Sequence, residues 1–250
     1  MDSGHKVRVE AGVSFDWQAL PRLVENLDGI DRNVERLHFR RGKSSTGGMA
    51  GFNRLKTLWL RQANQKVIDE ISGLPLLDTL YIDGLSASSL KPLGEIRTLR
   101  RLVIHGGAKV DNLDWIRGLP PGLLVLYLEG FKRISDLDAV KSLAQLTAFG
   151  FEGGMSTHAR IDTLEPLASV SHLRYLFLAA ARVATQSLEP LRRLPRLEHL
   201  ECVMQFPERE FIELHKARPA LHCDWFDMLE NHGSLRAGKH AILDRIRHGG

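Results

Sequence analysis

A leucine pattern, L-x-x-L-x-L, recurs along most of this chain of 250 residues. Successive copies begin 21 to 27 residues apart, and the first copy is weak and the last degraded. The copies begin at Val34, Leu55, Leu77, Leu99, Leu123, Leu146, Leu173, Leu197 and Leu221. A unit of this length cannot bury its own apolar edge, so neighbouring units have to stack against it. The chain is therefore expected to fold as one continuous solenoid.

Each copy is followed by apolar residues at every third position, for example Leu90, Leu93 and Ile96. Period three is typical of a 3₁₀ or tight helical turn with one buried edge. The L-x-x-L-x-L part is typical of a short strand whose alternate residues point inward. We therefore expect an α/β repeat solenoid with one strand and one short helical segment in each repeat.

Over residues 34–226 the chain resembles the leucine-rich repeat family. The short repeat, together with the phrases Leu90-Lys91-Pro92-Leu93 and Leu164-Glu165-Pro166-Leu167, is similar to the repeats of the internalin and phosphatase-regulatory types. The resemblance implies a right-handed horseshoe with a parallel concave β-sheet and a convex side of 3₁₀ or helical segments.

The chain departs from that family at the position after each strand, where an Asn ladder usually lies. The residues at this position are Ala63, Leu85, Gly107, Phe131, Gly154, Ala181 and Gln205. The usual ladder is missing, so the backbone groups of the loops must be satisfied in another way.

Repeat arrays need capped ends, because the terminal repeats would otherwise expose their core. We expect an N-terminal cap over residues 1–33, repeats over 34–205, a last rung and C-terminal cap over 206–230, and a basic tail, flexible or a short helix, over 231–250.

Local patterns suggest how the two caps fold. The alternation of Lys6–Glu10 predicts a strand, and Ser14 is the expected N-cap of a helix that continues to Leu27. A second helix is expected near Pro207–Ala217.

The composition excludes several classes of protein. The chain carries 34 Lys and Arg against 30 Asp and Glu, and 43% of its residues are hydrophobic, which does not suit a disordered chain. It has no apolar run of the roughly 20 residues that a membrane span needs, and its first residues lack the apolar core of a signal peptide. Two cysteines are too few for a disulfide framework. We therefore expect a cytoplasmic protein with no membrane span.

The strand register predicts which side chains face solvent on the concave side. Positions one, four and six of each copy point inward, and positions three, five and seven point outward. Five of the nine residues at position five are aromatic, although aromatic residues make up 7% of the chain. Exposed aromatic and arginine side chains are common anchors of protein interfaces. The candidate protein-binding residues are Arg36, His38, Arg40, Trp59, Arg61, Tyr81, Asp83, Arg101, His105, Tyr127, Glu129, Glu152, Tyr175, Phe177, His199 and Glu201.

The net charge of +4 is the sum of segments with opposite charge. Residues 1–61 have 11 basic and 7 acidic residues, residues 62–230 have 19 and 22, and the remaining tail has 4 and 1. This polarity favours oriented docking of a complementary partner.

Catalytic and metal sites are weaker interpretations of the same residues. Asp83, His105, Glu129 and Glu152 lie on consecutive rungs and offer metal ligands if they converge, but a solvated acidic stripe is the simpler interpretation. Cys202 takes an inward position and Cys223 an outward one, so we expect no disulfide between them and no catalytic role. We expect no cofactor and no enzymatic activity.

The sequence therefore predicts a monomeric, non-enzymatic module that binds another protein through its concave face. Two alternatives stay open. One is a regulatory or neutralising subunit of a separate enzyme or effector. The other is nucleic-acid binding by the basic first rungs and the aromatic residues, which the acidic middle rungs disfavour because they repel phosphates.

Overall fold

The computed structural model describes residues 3–40, 42, 48–49, 51–154, 157–203 and 205–235. Most of the predicted basic tail, residues 236–250, lies outside the described residues.

The described residues form eleven strands and five α-helices. The strands are Leu23–Val24 (β1), Arg36–Arg40 (β2), Thr57–Ala63 (β3), Thr79–Leu85 (β4), Arg101–His105 (β5), Val125–Glu129 (β6), Ala148–Glu152 (β7), Ala159–Ile161 (β8), Tyr175–Leu178 (β9), Ala181–Val183 (β10) and His199–Cys202 (β11). The helices are Ser3–Glu10 (α1), Gln65–Ile71 (α2), Glu189–Arg192 (α3), Glu208–Ala217 (α4) and Asp224–His232 (α5). Short 3₁₀ helices cover Trp17–Ala19, Lys91–Glu95, Asp114–Gly118, Asp138–Ser142 and Glu165–Ser169.

Nine of these strands form one parallel sheet in the order β1-β2-β3-β4-β5-β6-β7-β9-β11. Strands β8 and β10 pair in a separate two-stranded parallel sheet. The nine strands lie in the sheet in the same order as along the chain, as expected when each repeat contributes one strand. The predicted horseshoe solenoid, with its sheet on the concave side, is confirmed.

The inward leucine positions make the main core. The residues at position four of the repeats are at most 1% exposed, and they are Leu58, Leu80, Leu102, Leu126, Phe149, Leu176 and Leu200. The period-three residues are also buried where the 3₁₀ helices lie, as Leu93, Ile116 and Val140 are. Each rung therefore buries its apolar edge against the rungs on either side.

Neighbouring repeats satisfy the loops that lack the Asn ladder. The backbone N–H groups of Gly106 and Gly107 both donate to the carbonyl of Glu129, and Gly130 donates to the carbonyl of Glu152. In a later repeat the Gln205 side chain accepts from Val183 N at 2.7 Å and donates to the Ala181 carbonyl at 2.5 Å. The Gln205 side chain therefore bonds to the backbone of the neighbouring repeat, as an Asn of the usual ladder would.

The N-terminal predictions of secondary structure are wrong. Residues Lys6–Glu10 belong to helix α1 rather than to a strand, and Ser14 does not begin a long helix. Instead Asp16 caps the short 3₁₀ helix, accepting from Gln18 N at 2.9 Å. The physical reason is that residues Lys6–Glu10 lie on a face of the sheet and not at its edge. A sheet face offers side chains but no free backbone groups, so a segment there has to close its own hydrogen bonds, and a helix does this.

The C-terminal predictions are right in part. Helix α4 lies where a helix was expected, at Glu208–Ala217. The last copy of the repeat does not form a full strand, because Asp224–His232 is helix α5 and only His222 bridges to His199. Cys223 was expected to point outward, but it is 1% exposed.

The stacked core gives a first prediction. Leu126→Ala removes a fully buried side chain and should lower the free energy of unfolding by about 2–5 kcal/mol, because it leaves a cavity between rungs. Leu124→Ala, two residues earlier and 38% exposed, is the matched control and should cost less than about 1 kcal/mol. Urea unfolding of both variants measures the difference, and equal losses would contradict the assigned register.

Candidate functional site

The candidate residues lie in the columns that the sequence predicted. Strand pairing aligns Arg36, Thr57, Thr79 and Arg101 at position three, and His38, Trp59 and Tyr81 at position five. The same alignment continues through the later rungs at positions three and five, and at position seven as far as Glu152. The register of the concave face is therefore confirmed.

The expectation that the aromatic residues of this face stand in solvent is wrong. Their exposures are 5% for Trp59, 5% for Tyr81, 2% for Tyr127, 9% for Tyr175 and 0% for Phe177. They pack with Ala11 and Val13, and with the partly buried Val7, Phe15 and Leu20, in a hydrophobic cluster of their own. The N-terminal segment of the same chain, residues 3–15, therefore covers much of the concave face, and Leu20 adds to this cover.

One end of this cover is an aromatic contact around Phe15. The Phe15 ring lies 4.9 Å from Tyr81 and 5.8 Å from Trp59, edge-on to both, and the Trp59 and Tyr81 rings stack at 5.6 Å. The Tyr81 hydroxyl donates to the Ser14 carbonyl at 3.3 Å and accepts from Arg101 at 3.2 Å. Two of the proposed anchors thus bind the chain's own segment.

The other end of the cover is Arg8, whose guanidinium lies among four side chains of the repeats. Its Nε and Nη2 donate to Glu201 at 3.0 and 2.6 Å, and Nη2 also donates to Glu152 at 2.7 Å. Its Nη1 donates to the Tyr127 hydroxyl at 3.1 Å and to Glu152 at 3.4 Å. The guanidinium carbon also lies 5.0 Å from the centre of the Phe177 ring, a cation–π contact. We call Tyr127, Glu152, Phe177 and Glu201 the arginine socket.

Burial and charge shift the titration of this cluster. Burial acts to lower the pKa of Arg8, but the hydrogen bond to Glu201 and the charge of Glu152 outweigh it and raise the pKa. Burial, with the charge of Glu152, raises the pKa of the Tyr127 hydroxyl. Burial also raises the pKa of Glu152, although Arg8 opposes that shift. Arg8 and Tyr127 therefore keep their protons at neutral pH.

The basic first rungs hold the chain that leads away from the cover. Arg36 donates to the Ala19 carbonyl at 2.5 Å, and Arg40 forms an ion pair with Glu25. Arg61 Nε donates to His38 Nε2 at 3.1 Å, and its Nη1 lies 3.2 Å from Asp83. These predicted binding residues are therefore partly engaged within the molecule.

The acidic stripe does not converge on one point. Asp83 pairs with Arg61, Glu129 lies 2.7 Å from His105, and Glu152 belongs to the arginine socket. The hydrogen bond with His105 lowers the pKa of Glu129. Among the described residues, no group of three or more His, Cys, Asp or Glu could hold a metal ion.

The far end of the face carries His199 and Glu201. The His199 ring lies 5.7 Å from Phe177 and 5.2 Å from His222, and burial, with the nearby His222, lowers its pKa. A cavity of about 490 Å³ opens here between helix α1 and the last rungs.

The two cysteines are both buried and both free. Interaction with the neighbouring Cys223 thiol, together with burial, raises the pKa of Cys202 well above its usual value. The expectation that these side chains point in opposite directions is wrong, because Cys223 turns into the core before helix α5 begins.

A groove of about 220 Å³ stays open beside the covered aromatic residues. It is lined by the N-terminal Phe15 and Trp17 and by Arg61, Asp83 and His105 of the repeats. Trp17 is 60% exposed. This groove is one accessible part of the predicted binding face.

The sequence patterns did not reveal Arg8 and Phe15, which cover the face, or the role of Gly150, which lies on the face and makes room for a neighbouring ring. Gly150 is the one position-five residue without a side chain, and a Cβ there would lie 2.2 Å from Tyr127. That gap in the aromatic column is visible in the sequence, and the structure shows that the Tyr127 ring lies across it.

The structure described here contains no helix that is both long and apolar enough to cross a membrane.

His38 gives a prediction for pH. Its Nδ1 lies 3.1 Å from the Pro21 carbonyl and its Nε2 accepts from Arg61, so the buried ring is held neutral, and burial lowers its pKa. In the unfolded chain His38 binds a proton more readily than in the folded protein. The stability that comes from the neutral His38 ring is therefore present above about pH 6.5 and is lost as the pH falls through the lowered pKa of the folded state.

The measurement is the free energy of unfolding at pH 7.5 and at pH 5.5. The wild type should lose more stability than His38→Asn between the two values. Asn keeps a donor for Pro21 but does not titrate, and the contribution of His199 is common to both proteins. An equal loss in the two proteins would contradict this assignment.

Neither a protein-family model nor a curated protein matches this sequence. Solved structures do match it. An internalin from Listeria monocytogenes (inlF) is 15% identical with a TM-score of 0.57, over 76% of this chain and 53% of that one. Internalin C2 from the same species is 19% identical with a TM-score of 0.49, over 65% of this chain and 70% of that one. A leucine-rich repeat protein from Leptospira interrogans, LIC12759, is 14% identical with a TM-score of 0.38, over 74% and 58%.

The chain spans about half the length of the first of these internalins. At these identities the likeness concerns the fold. The resemblance to internalin-type repeats is confirmed at that level, and the chain has the leucine-rich repeat fold.

Proposed function

We propose that this chain is a non-enzymatic module that binds another protein on the concave side of its sheet. One observation carries the proposal: a peptide segment already lies on that face, held by Trp59, Tyr81, Tyr127, Tyr175 and Phe177. A surface that holds one segment through aromatic and charged side chains has the chemistry to hold another.

Size and composition support the same proposal. Nine parallel strands spaced about 4.8 Å apart give a face long enough for the roughly 800 Å² that each partner contributes to a standard interface. The open groove supplies an exposed aromatic residue, Trp17, next to the charged Arg61 and Asp83. We infer that a partner makes its first contact there.

We place the protein in the cytoplasm as part of this proposal. Cys202 and Cys223 touch as free thiols, a state that a reducing compartment preserves.

The groove gives a test with a matched control. In the variant Trp17→Ala/Asp83→Arg, recovery of a bound protein from a lysate of the native host should fall at least tenfold, because an aromatic anchor is lost and a charge is reversed. The control Leu76→Ala/Glu95→Arg changes one exposed apolar residue and one exposed acid that do not line the groove, and should leave recovery within twofold.

Quantitative mass spectrometry of the captured proteins, with and without nuclease, measures both effects. The same captured set with the groove variant, or a loss that the control shares, contradicts the proposal. Capture that disappears with nuclease treatment supports nucleic-acid binding instead.

A further inference from the structure

The N-terminal segment, residues 3–15, is a separate body that rests on the repeats. The main hydrophobic core of the described residues and the cluster under this segment share no residue. The inward leucines of the rungs all belong to the main core, which contains no residue before Val24. The repeats therefore keep their own core whether or not the segment is in place.

The backbone of the segment also closes on itself. After helix α1, Ala11 N donates to the Val7 carbonyl, Gly12 N to Val9, and Val13 N and Ser14 N to Arg8. In the described part of the chain, no backbone–backbone hydrogen bond joins residues 3–15 to the repeats. The segment can therefore leave the face without breaking a bond of the sheet.

The arginine socket belongs entirely to the repeats. Its four residues come from strands β6, β7, β9 and β11. Two contacts inside the repeats position Glu152 without help from Arg8. The Tyr127 hydroxyl donates to it at 2.5 Å, and Ala179 N donates to it at 3.2 Å. Gly150 leaves the space across which the Tyr127 ring lies.

The socket matches a guanidinium group and no smaller cation. The hydrogen bonds of Arg8 number five, one from Nε and two from each terminal nitrogen, which equals the number of N–H donors on the group. The Phe177 ring covers the planar group. A lysine has three donors on a single atom and cannot make this forked contact.

We propose that the concave face is a receptor site for an arginine-bearing helical segment of a partner protein, and that residues 3–15 occupy this site until the partner displaces them. The inference rests on the proposed function and names the chemistry of the partner. Charge complementarity favours this occupant, because two carboxylates of the repeats face one guanidinium.

The neighbours of Arg8 define the rest of the partner segment. Val7 and Ala11 pack on the aromatic cluster, while Lys6 is exposed. The expected segment therefore carries an apolar residue directly before its arginine and a small residue three positions after it. It has to compete with an intramolecular segment whose effective concentration is on the order of millimolar.

The test cuts the chain after the N-terminal segment, so that the segment stays on the face as a separate bound peptide. No residue of the chain is removed. A specific protease site is inserted after Gln18, within the exposed stretch Trp17–Ala19, and the folded protein is cut there. A labelled synthetic peptide of residues 1–18 then exchanges with the cut segment, and fluorescence anisotropy gives its Kd. Circular dichroism follows the folding of the repeats during the exchange.

Two peptide variants decide whether arginine is what the site recognises. The Arg8→Lys peptide should bind at least tenfold more weakly, because it leaves Glu152 and Glu201 without forked donors. The Lys6→Ala peptide changes an exposed residue of the same helix and should bind within twofold of the original. Both changes are in the peptide, so the folding of the receptor is not affected.

Three outcomes overturn the proposal. The first is an equal Kd for the original and Arg8→Lys peptides, and the second is unfolding of the repeats when the segment is released. The third is a dimer of the intact protein in light scattering that the free peptide dissociates, since a second copy would then be the occupant. The groove variant Trp17→Ala/Asp83→Arg leaves the socket intact, so its capture result tests the proposed function separately from peptide exchange.

Discussion

Every rung of this molecule depends on its neighbours for burial. A strand with three inward residues and a 3₁₀ turn with one buried edge has no core of its own, and only stacking removes its leucines from water. The position-four column, from Leu58 to Leu200, runs unbroken through seven rungs for this reason. Stacking also fixes the outward columns, because a shift of one residue would turn the leucines into solvent.

The stacked sheet in turn restricts what can cover its concave face. The strands of the sheet pair with one another through their backbones, so a covering segment meets their side chains. The N-terminal segment meets this condition with helix α1. Its contacts with the face come from side chains such as Arg8 and Phe15 and from the Ser14 carbonyl, which accepts from the Tyr81 hydroxyl. Gly12, with φ of +77°, ends the helix and lets the chain turn toward the aromatic end of the face.

The repeat pattern was enough to predict the register, the 3₁₀ turns and the columns of the face, because these follow from spacings within one repeat. It could not predict the cover. Arg8 and Glu201 lie 193 residues apart, and no local period connects them. The alternation of Lys6–Glu10 is typical of a strand, but these residues form a helix because of where they pack in the folded protein. The predictions for Cys223 and for the last copy of the repeat were wrong for a related reason. After β11 the chain turns inward at Cys223 and forms helix α5 instead of another strand.

The same contacts that cover the face also determine how it can be uncovered. Without Arg8, Glu152 would keep two donors, the Tyr127 hydroxyl and Ala179 N, but would have no cation beside it in the socket. Burial already raises its pKa with Arg8 in place, so its charge is poorly solvated there. A buried carboxylate with no counter-charge is strongly unfavourable. The arginine socket is therefore less stable when it is empty than when a guanidinium fills it. Direct replacement of Arg8 by an arginine of the partner keeps the socket filled.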